Sequence, residues 1–133
     1  GNRHWRDSMR AFGATKRPLL AECGGMMVLF DTLFTSDGAA HAMAGLLPGK
    51  VTLRHKMAAI GLQSLALAQG DLRGHTFHYS ELDTPLAPAW QCAPHGYGVG
   101  ESVYRCGAMT ASYLHTYFPS NPAATAALFT GTS

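Results

Sequence analysis

Leu19-Leu20-Ala21-Glu22-Cys23-Gly24-Gly25-Met26-Met27 is the stretch on which the reading of this chain turns. Pro18-Leu19-Leu20-Ala21 is an apolar run too short for a helix, and it predicts a buried, parallel strand. The run stops at Glu22-Cys23-Gly24-Gly25. Met26–Phe34 then carries helix formers without Gly or Pro, which predicts a helix. A lone cysteine between strand and helix sits on a tight turn. The two glycines there permit a strained backbone and close packing, as at the nucleophile elbow of hydrolases. A helix N-terminus beneath Cys23 favours its thiolate form. The amide N–H of Gly24 would face the oxyanion formed when the thiolate attacks a carbonyl. The same residue also reads as a small buried side chain, since free cysteine is among the most buried types. Both readings stand on spacing alone.

Outward from this stretch, Asn2–Phe12 predicts a short helix, with Trp5, Met9 and Phe12 on one side and Gly13 as its stop. Ser36–Gly49 is small and glycine-rich, a loop. Strands are predicted over Lys50–Arg54, Leu62–Ala68 and Gly74–Ser80, and then at Glu101–Tyr104 and Met109–Leu114 around a Cys106-Gly107 turn. Gln91–Gly100 reads as a loop. Asn121 with Pro122 begins a last helix, Ala123–Phe129. The order is that of an α/β piece with a β-rich second half.

Composition narrows the function classes. The 133 residues amount to one domain on a scale of about 100–200 residues. Apolar residues make up 47% and charged residues 14%, against roughly 25% charged in an average chain, which excludes disorder as the main description. No apolar run approaches the roughly 18 residues of a membrane span, because Asp31 interrupts Met26–Phe34. A net charge of +2 without a basic stripe points away from nucleic acid. Three cysteines (Cys23, Cys92, Cys106) and no signal peptide point to a reduced, cytoplasmic protein. The low charge suggests that part of the surface faces another domain. The first residue, Gly1 rather than Met, reads as the mark of a trimmed piece.

A thiol nucleophile needs a base, normally a histidine reached through the fold. Of seven histidines, His115 is best placed, at the end of the apolar strand Ala111-Ser112-Tyr113-Leu114 and before Pro119. A surface histidine is the plainer reading of the same residue. His4, His41, His55 and His95 look like surface or loop residues, and Cys92 and Cys106 lack the strand–Gly–helix setting. His75 and His78 do not make a metal pair, because residues three apart on a strand face opposite sides. No site for a metal is expected, and no GxxxxGK[ST] or GxGxxG follows a strand.

Three ordered blocks, Ala21-Glu22-Cys23-Gly24-Gly25-Met26-Met27, Arg73-Gly74-His75-Thr76-Phe77-His78-Tyr79-Ser80 and Ala111-Ser112-Tyr113-Leu114-His115, resemble the C-terminal glutamine amidotransferase domain of cobyrinic acid a,c-diamide synthase. The resemblance implies a partial class I glutamine amidotransferase (flavodoxin-like) sheet, with residues 1–133 as the C-terminal part of that domain. It implies Cys23 as nucleophile, His115 as the base that activates it, and Gly24 as an oxyanion donor. Gly25, Met27, Phe77, His78, Tyr79 and Ser80 become neighbours of the glutamine pocket. The family joins this domain to an N-terminal synthetase domain that uses ATP and Mg²⁺ to amidate a corrinoid substrate, here absent, so no cofactor is expected in this chain. Its glutaminase releases ammonia from glutamine for that amidation.

The sequence departs from the family at several points. Thr76 stands where the family usually has Glu, Tyr117 where a second His is frequent, and Met27 where many class I glutaminases carry Gln. No carboxylate is nominated as a third triad member, Glu101 included. The family's first βα units and a Pro-Gly-Gly loop with a further oxyanion donor are absent. That predicts a poor catalyst on its own, with an apolar face that a second copy, as a homodimer, would cover. A related nickel-sirohydrochlorin enzyme shares the architecture, whereas cobyric acid synthase usually has Tyr-Gln after the two glycines. Two other classes stay in play: a degenerate glutaminase-like docking module and a cysteine hydrolase of another fold.

Overall fold

A computed structural model describes residues 2–96 and 98–130. Gly1, and Tyr97 within the predicted 91–100 loop, lie outside the described residues. In chain order the first half runs α1 (Asn2–Ala14), β1 (Leu19–Glu22), α2 (Gly24–Met27), β2 (Thr32–Phe34), β3 (Ala40–Ala42) and β4 (Lys50–Leu53). There follow β5 (Ala59–Leu67), β6 (Gly70–His78), β7 (Ser80–Asp83), β8 (Trp90–Gln91) and β9 (Ala93–Pro94). The chain ends with β10 (Ser102–Cys106), β11 (Met109–Ser112), β12 (His115–Thr116) and α3 (Pro122–Thr130). This is a mixed α/β fold with a β-rich second half.

The strands form three sheets, ordered β1-β11-β10-β8, β12-β6-β5-β9 and β3-β2-β4-β7. The expected parallel strand is present: β1 lies parallel to β11, with Ala21 opposite Ala111. Its two faces meet different cores, because side chains alternate along a strand. Leu19 and Ala21 pack into a cluster with Met26, Phe30, Leu47 and Val51. Leu20 packs into a second cluster with Leu65, Leu72, Leu114, Ala124 and Leu128. The first sheet is therefore a central layer between α2 with β4 on one side and α3 with β5 and β6 on the other. The final helix starts where Asn121 and Pro122 predict, the Asn121 side-chain oxygen accepting the Ala124 N–H at 3.0 Å.

Three local expectations are corrected. The helix predicted over Met26–Phe34 is one turn, Gly24–Met27, followed by a turn and then β2. The returning 43–47 segment explains this. The carbonyls of Val28, Leu29, Phe30 and Asp31 accept the N–H groups of Ala44, Leu46, Gly45 and Met43, so they are not available to continue a helix. Ala40–Ala42, just before that segment and within the Ser36–Gly49 stretch expected to be loop, form β3 and pair with β2. Gly13 is helical rather than a stop: a side chain there would meet Leu46 Cδ2 at 2.9 Å, so the glycine lets α1 approach. The helix ends instead in a turn at residues 15–16, where Lys16 has φ 58°. Arg6 and Arg10 bind α1 to the carbonyls of Ala42 and Ala44 at 3.2 and 2.7 Å.

Candidate active site

Cys23 follows the last residue of β1 and has φ 50°, ψ −111°. Its N–H donates to Ser112 O at 2.9 Å and its carbonyl accepts the Met27 N–H at 3.1 Å. The cysteine is thus clamped between β11 and the single turn of α2. The strain was expected in the glycines; it sits on the cysteine itself, in a region that costs a side-chain-bearing residue energy. Neither Gly24 nor Gly25 has positive φ. A side chain on Gly25 would meet nothing within 4 Å, and one on Gly24 only the Met27 methyl at 4.0 Å. The two glycines are therefore not needed for packing; they leave open space above the turn. Their N–H groups precede the first intrahelical bond and have no acceptor within α2.

The chain passes from β11 in the central sheet to β12 in the second at Tyr113-Leu114. Ser112 Oγ steers the crossing, donating to Ser102 O at 2.9 Å and accepting the Leu114 N–H at 3.1 Å. His115 opens β12 directly opposite His75 of β6, and the two rings stack with centroids 4.9 Å apart and planes 13° apart. Cys23 Sγ lies 4.0 Å from Phe77 O, the outer limit of a thiol–carbonyl contact. Both groups therefore stand against β6, one at residue 75 and the other at residue 77. Two residues along a strand span about 6.6 Å. The structure brings Cys23 and His115 to one locality although 92 positions (115 − 23) separate them in sequence. Beside them an open cleft of about 520 Å³ is lined by Ile60, Leu62, His75, Phe77 and His115. Ile60 and Leu62 are 65% and 63% exposed, so its walls are apolar and open to solvent.

The block Phe77–Ser80 divides between two faces of β6 and β7. Phe77 and Tyr79 are exposed, whereas His78 and Ser80 are buried. His78 donates from Nδ1 to Ser80 O at 2.8 Å and from Nε2 to Glu101 Oε2 at 2.6 Å, and it stacks on Tyr113 at 3.6 Å. The same Glu101 oxygen accepts the Thr76 hydroxyl at 2.6 Å. Burial pushes the Glu101 carboxyl up, but the hydrogen bonds from His78 and Thr76, together with the His78 charge, outweigh it and hold it below the ordinary carboxylate range. The Tyr113 hydroxyl pairs with Ser80 Oγ at 2.8 Å, and Ser80 Oγ donates to Met27 Sδ at 3.2 Å. Burial chiefly pushes the Tyr113 phenol up to about 12, against the Ser80 bond and with the charges of Glu101, Cys23 and Glu81. A polar chain thus runs from Glu101 through His78 to Ser80, whose Oγ reaches both Tyr113 and Met27 in the turn that follows Cys23. Sequence reasoning set Glu101 aside and missed this chain. One signal was present: alternation puts Thr76, His78 and Ser80 on the face of β6 and β7 opposite Phe77 and Tyr79, and buried polar groups need partners.

The remaining candidates are dispersed. Cys92 is buried, its thiol pushed up to about 12 by burial and then by the Glu101 charge, and Cys106 is exposed. His4, His41, His55 and His95 are exposed, and His75 and His78 face opposite sides of β6 as alternation requires. Among the described residues no three His, Cys, Asp or Glu side chains converge to hold a metal, and no helix is long and apolar enough to cross a membrane.

Comparison with known proteins bears on what this arrangement is. The model of the CobB/CobQ-like glutamine amidotransferase domain matches residues 1–123. Cobyrinate a,c-diamide synthase of Herminiimonas arsenicoxydans is 52% identical over 126 residues, 94% of this chain and 29% of that protein. Hydrogenobyrinate a,c-diamide synthase of Pseudomonas aeruginosa is 49% identical over 129 residues, 96% of this chain and 30% of that one. The chain thus spans about three-tenths of the length of these relatives. With the family model running from the first residue through the Cys23 turn and β12 to the start of α3, the chain belongs to the CobB/CobQ-like glutamine amidotransferase domain family.

Proposed function

We propose that this chain is the glutaminase part of a cobyrinate-type a,c-diamide synthase, supplying ammonia from glutamine for ATP-dependent amidation of corrinoid carboxylates. The observation that carries the reading is a cysteine held at φ 50° between β1 and α2, against the same strand as His115. In the proposed reaction Cys23 gives its proton to His115, and its sulfur attacks the side-chain amide carbon of glutamine. The carbonyl electrons move onto oxygen, which meets the N–H of Gly24. Collapse of this adduct breaks the carbon–nitrogen bond, and His115 returns the proton to the leaving ammonia. Water, deprotonated by His115, then cleaves the thioester to glutamate and restores the thiol. The open space over Gly24 and Gly25 is where the substrate's amide end would lie, with Phe77 and Tyr79 beside it.

The fold is read as the later part of a class I glutaminase sheet, without that family's first βα units. ATP and Mg²⁺ belong to the amidation step. No step above passes through them. The corrinoid comes to this reading from the relatives' names, the ATP-using domain from the family resemblance, and the cytoplasmic setting from the three cysteines of the sequence. The test is a glutamine-analogue diazoketone, 6-diazo-5-oxo-norleucine, applied to the protein in its natural length. It should label Cys23, and Cys23→Ser should abolish glutamine-dependent amidation while sparing amidation from free ammonia. Loss of both activities together, or no label on Cys23, would point to a structural cysteine in a docking module.

A further inference from the structure

Glu22 closes β1 immediately before Cys23, and its carboxylate reaches a residue 94 positions away. Oε2 accepts the backbone N–H of Thr116 at 2.9 Å and also the Thr116 hydroxyl. Thr116 is the residue after His115 and the second of the two residues of β12. Successive N–H groups of a strand point to opposite edges. The Tyr117 N–H donates to Arg73 O on β6 at 2.7 Å, so the Thr116 N–H points off the other edge, where Glu22 meets it. This short strand is thus held by β6 on one side and by one carboxylate on the other. That carboxylate belongs to the central sheet, next to the strained cysteine.

We infer that Glu22 is a positioning residue that sets the gap between the Cys23 thiol and the His115 imidazole, acting through Thr116. The inference rests on the glutaminase reading above and deepens it. A nucleophile–base pair generally needs a third group to orient the base. The His75 ring stacks on His115 from one side but is exposed and, among the described residues, shows no side-chain hydrogen bond into the core, so it does not fix β12 along its length. Glu22 does: it ties the residue after the base to the residue before the nucleophile through two hydrogen bonds. Its role is geometric, because it touches Thr116 rather than either reacting group.

The experiment uses the full-length protein and measures ammonia released from glutamine. Glu22→Ala should lower kcat about 10–100-fold with KM for glutamine within twofold, as expected when a base is displaced by roughly 1 Å. Thr116→Val removes the hydroxyl and keeps the N–H, and should give a smaller loss that Thr116→Ser recovers. The double variant should be no worse than Glu22→Ala, because both act through one bond set. In ¹³C-histidine NMR the His115 ring signal should move in both single variants while that of His78, on the buried face, stays. An unchanged kcat in folded Glu22→Ala, losses that multiply in the double variant, or a change in KM alone would overturn the inference. Should Glu22→Ala fail to fold, the Thr116 pair and the NMR signal decide it by the same criteria. His115→Ala in the same assay separates the two readings. If the wild type releases no ammonia from glutamine, the glutaminase assignment falls; if His115→Ala retains hydrolysis, the base assignment falls and the positioning role with it; if it loses hydrolysis while Glu22→Ala does not, only the positioning role falls.

Discussion

A methyl group on Gly74 would stand 2.3 Å from the carbonyl oxygen of His115. No side chain fits there, so β12 packs against β6 at its present separation only because residue 74 is glycine. Gly74→Ala should push β12 off β6 and carry His115 with it. A displacement of about 1 Å at a reacting group costs on the order of 10²-fold in rate. Glutamine-dependent ammonia release should fall by that order, and an unchanged rate would show that the strand absorbs the methyl without moving the histidine.

Cys23 holds a backbone conformation that glycine adopts freely. Holding a side chain there costs on the order of 1–3 kcal/mol. Cys23→Gly should therefore melt above Cys23→Ala by about 1 kcal/mol, or about 4 °C in a domain of this size. Both variants lose the thiol, so the comparison isolates the backbone. Equal melting temperatures would mean that the turn relaxes once the sulfur is gone.

The His78–Glu101 pair should make stability depend on acid. The folded Glu101 carboxyl titrates below its ordinary value of 4.5, so its contribution is complete above that value and is lost as pH falls through the folded one. The gap in urea midpoint between the wild type and Glu101→Gln should be full at pH 7 and close as pH drops below 4.5. A gap of constant size from pH 7 to pH 3 would contradict the sign of this linkage.

Thr110 lies in β11 with its hydroxyl buried and, among the described residues, without a hydrogen-bond partner. Burying an unpaired hydroxyl costs about 1–3 kcal/mol, and valine has nearly the same shape. Thr110→Val should stabilise the fold by about 1 kcal/mol in denaturant melts. A loss of stability would reveal a partner for that hydroxyl.

Local chemistry was legible in sequence wherever a short window carried it. Pro18–Ala21 read as a parallel strand because four apolar residues cannot make a helix, and Asn121-Pro122 read as a helix start because the amide caps and the ring fits the first turn. The opposite faces of His75 and His78 followed from the two-residue period of a strand. Met26–Phe34 misled because its helical propensity is real but its carbonyls are taken by residues 43–47, a contact no window contains. The turn at Cys23 was placed correctly, with the strain assigned to the wrong residues. Composition shows that glycines are present, not which residue the neighbouring strands force into positive φ.

The sequence alone determined the kinds of group available: one cysteine between a strand and two glycines, one histidine at a strand end, and polar residues spaced along a buried face. The tertiary structure decided which of them meet. Glu22 reaches Thr116 across 94 positions and His78 reaches Glu101 across 23, because strands distant in the chain are brought side by side by burying their apolar faces. Hydrophobic burial is non-directional and carries no local signature of its partner, so those pairings exist only once the sheets are assembled.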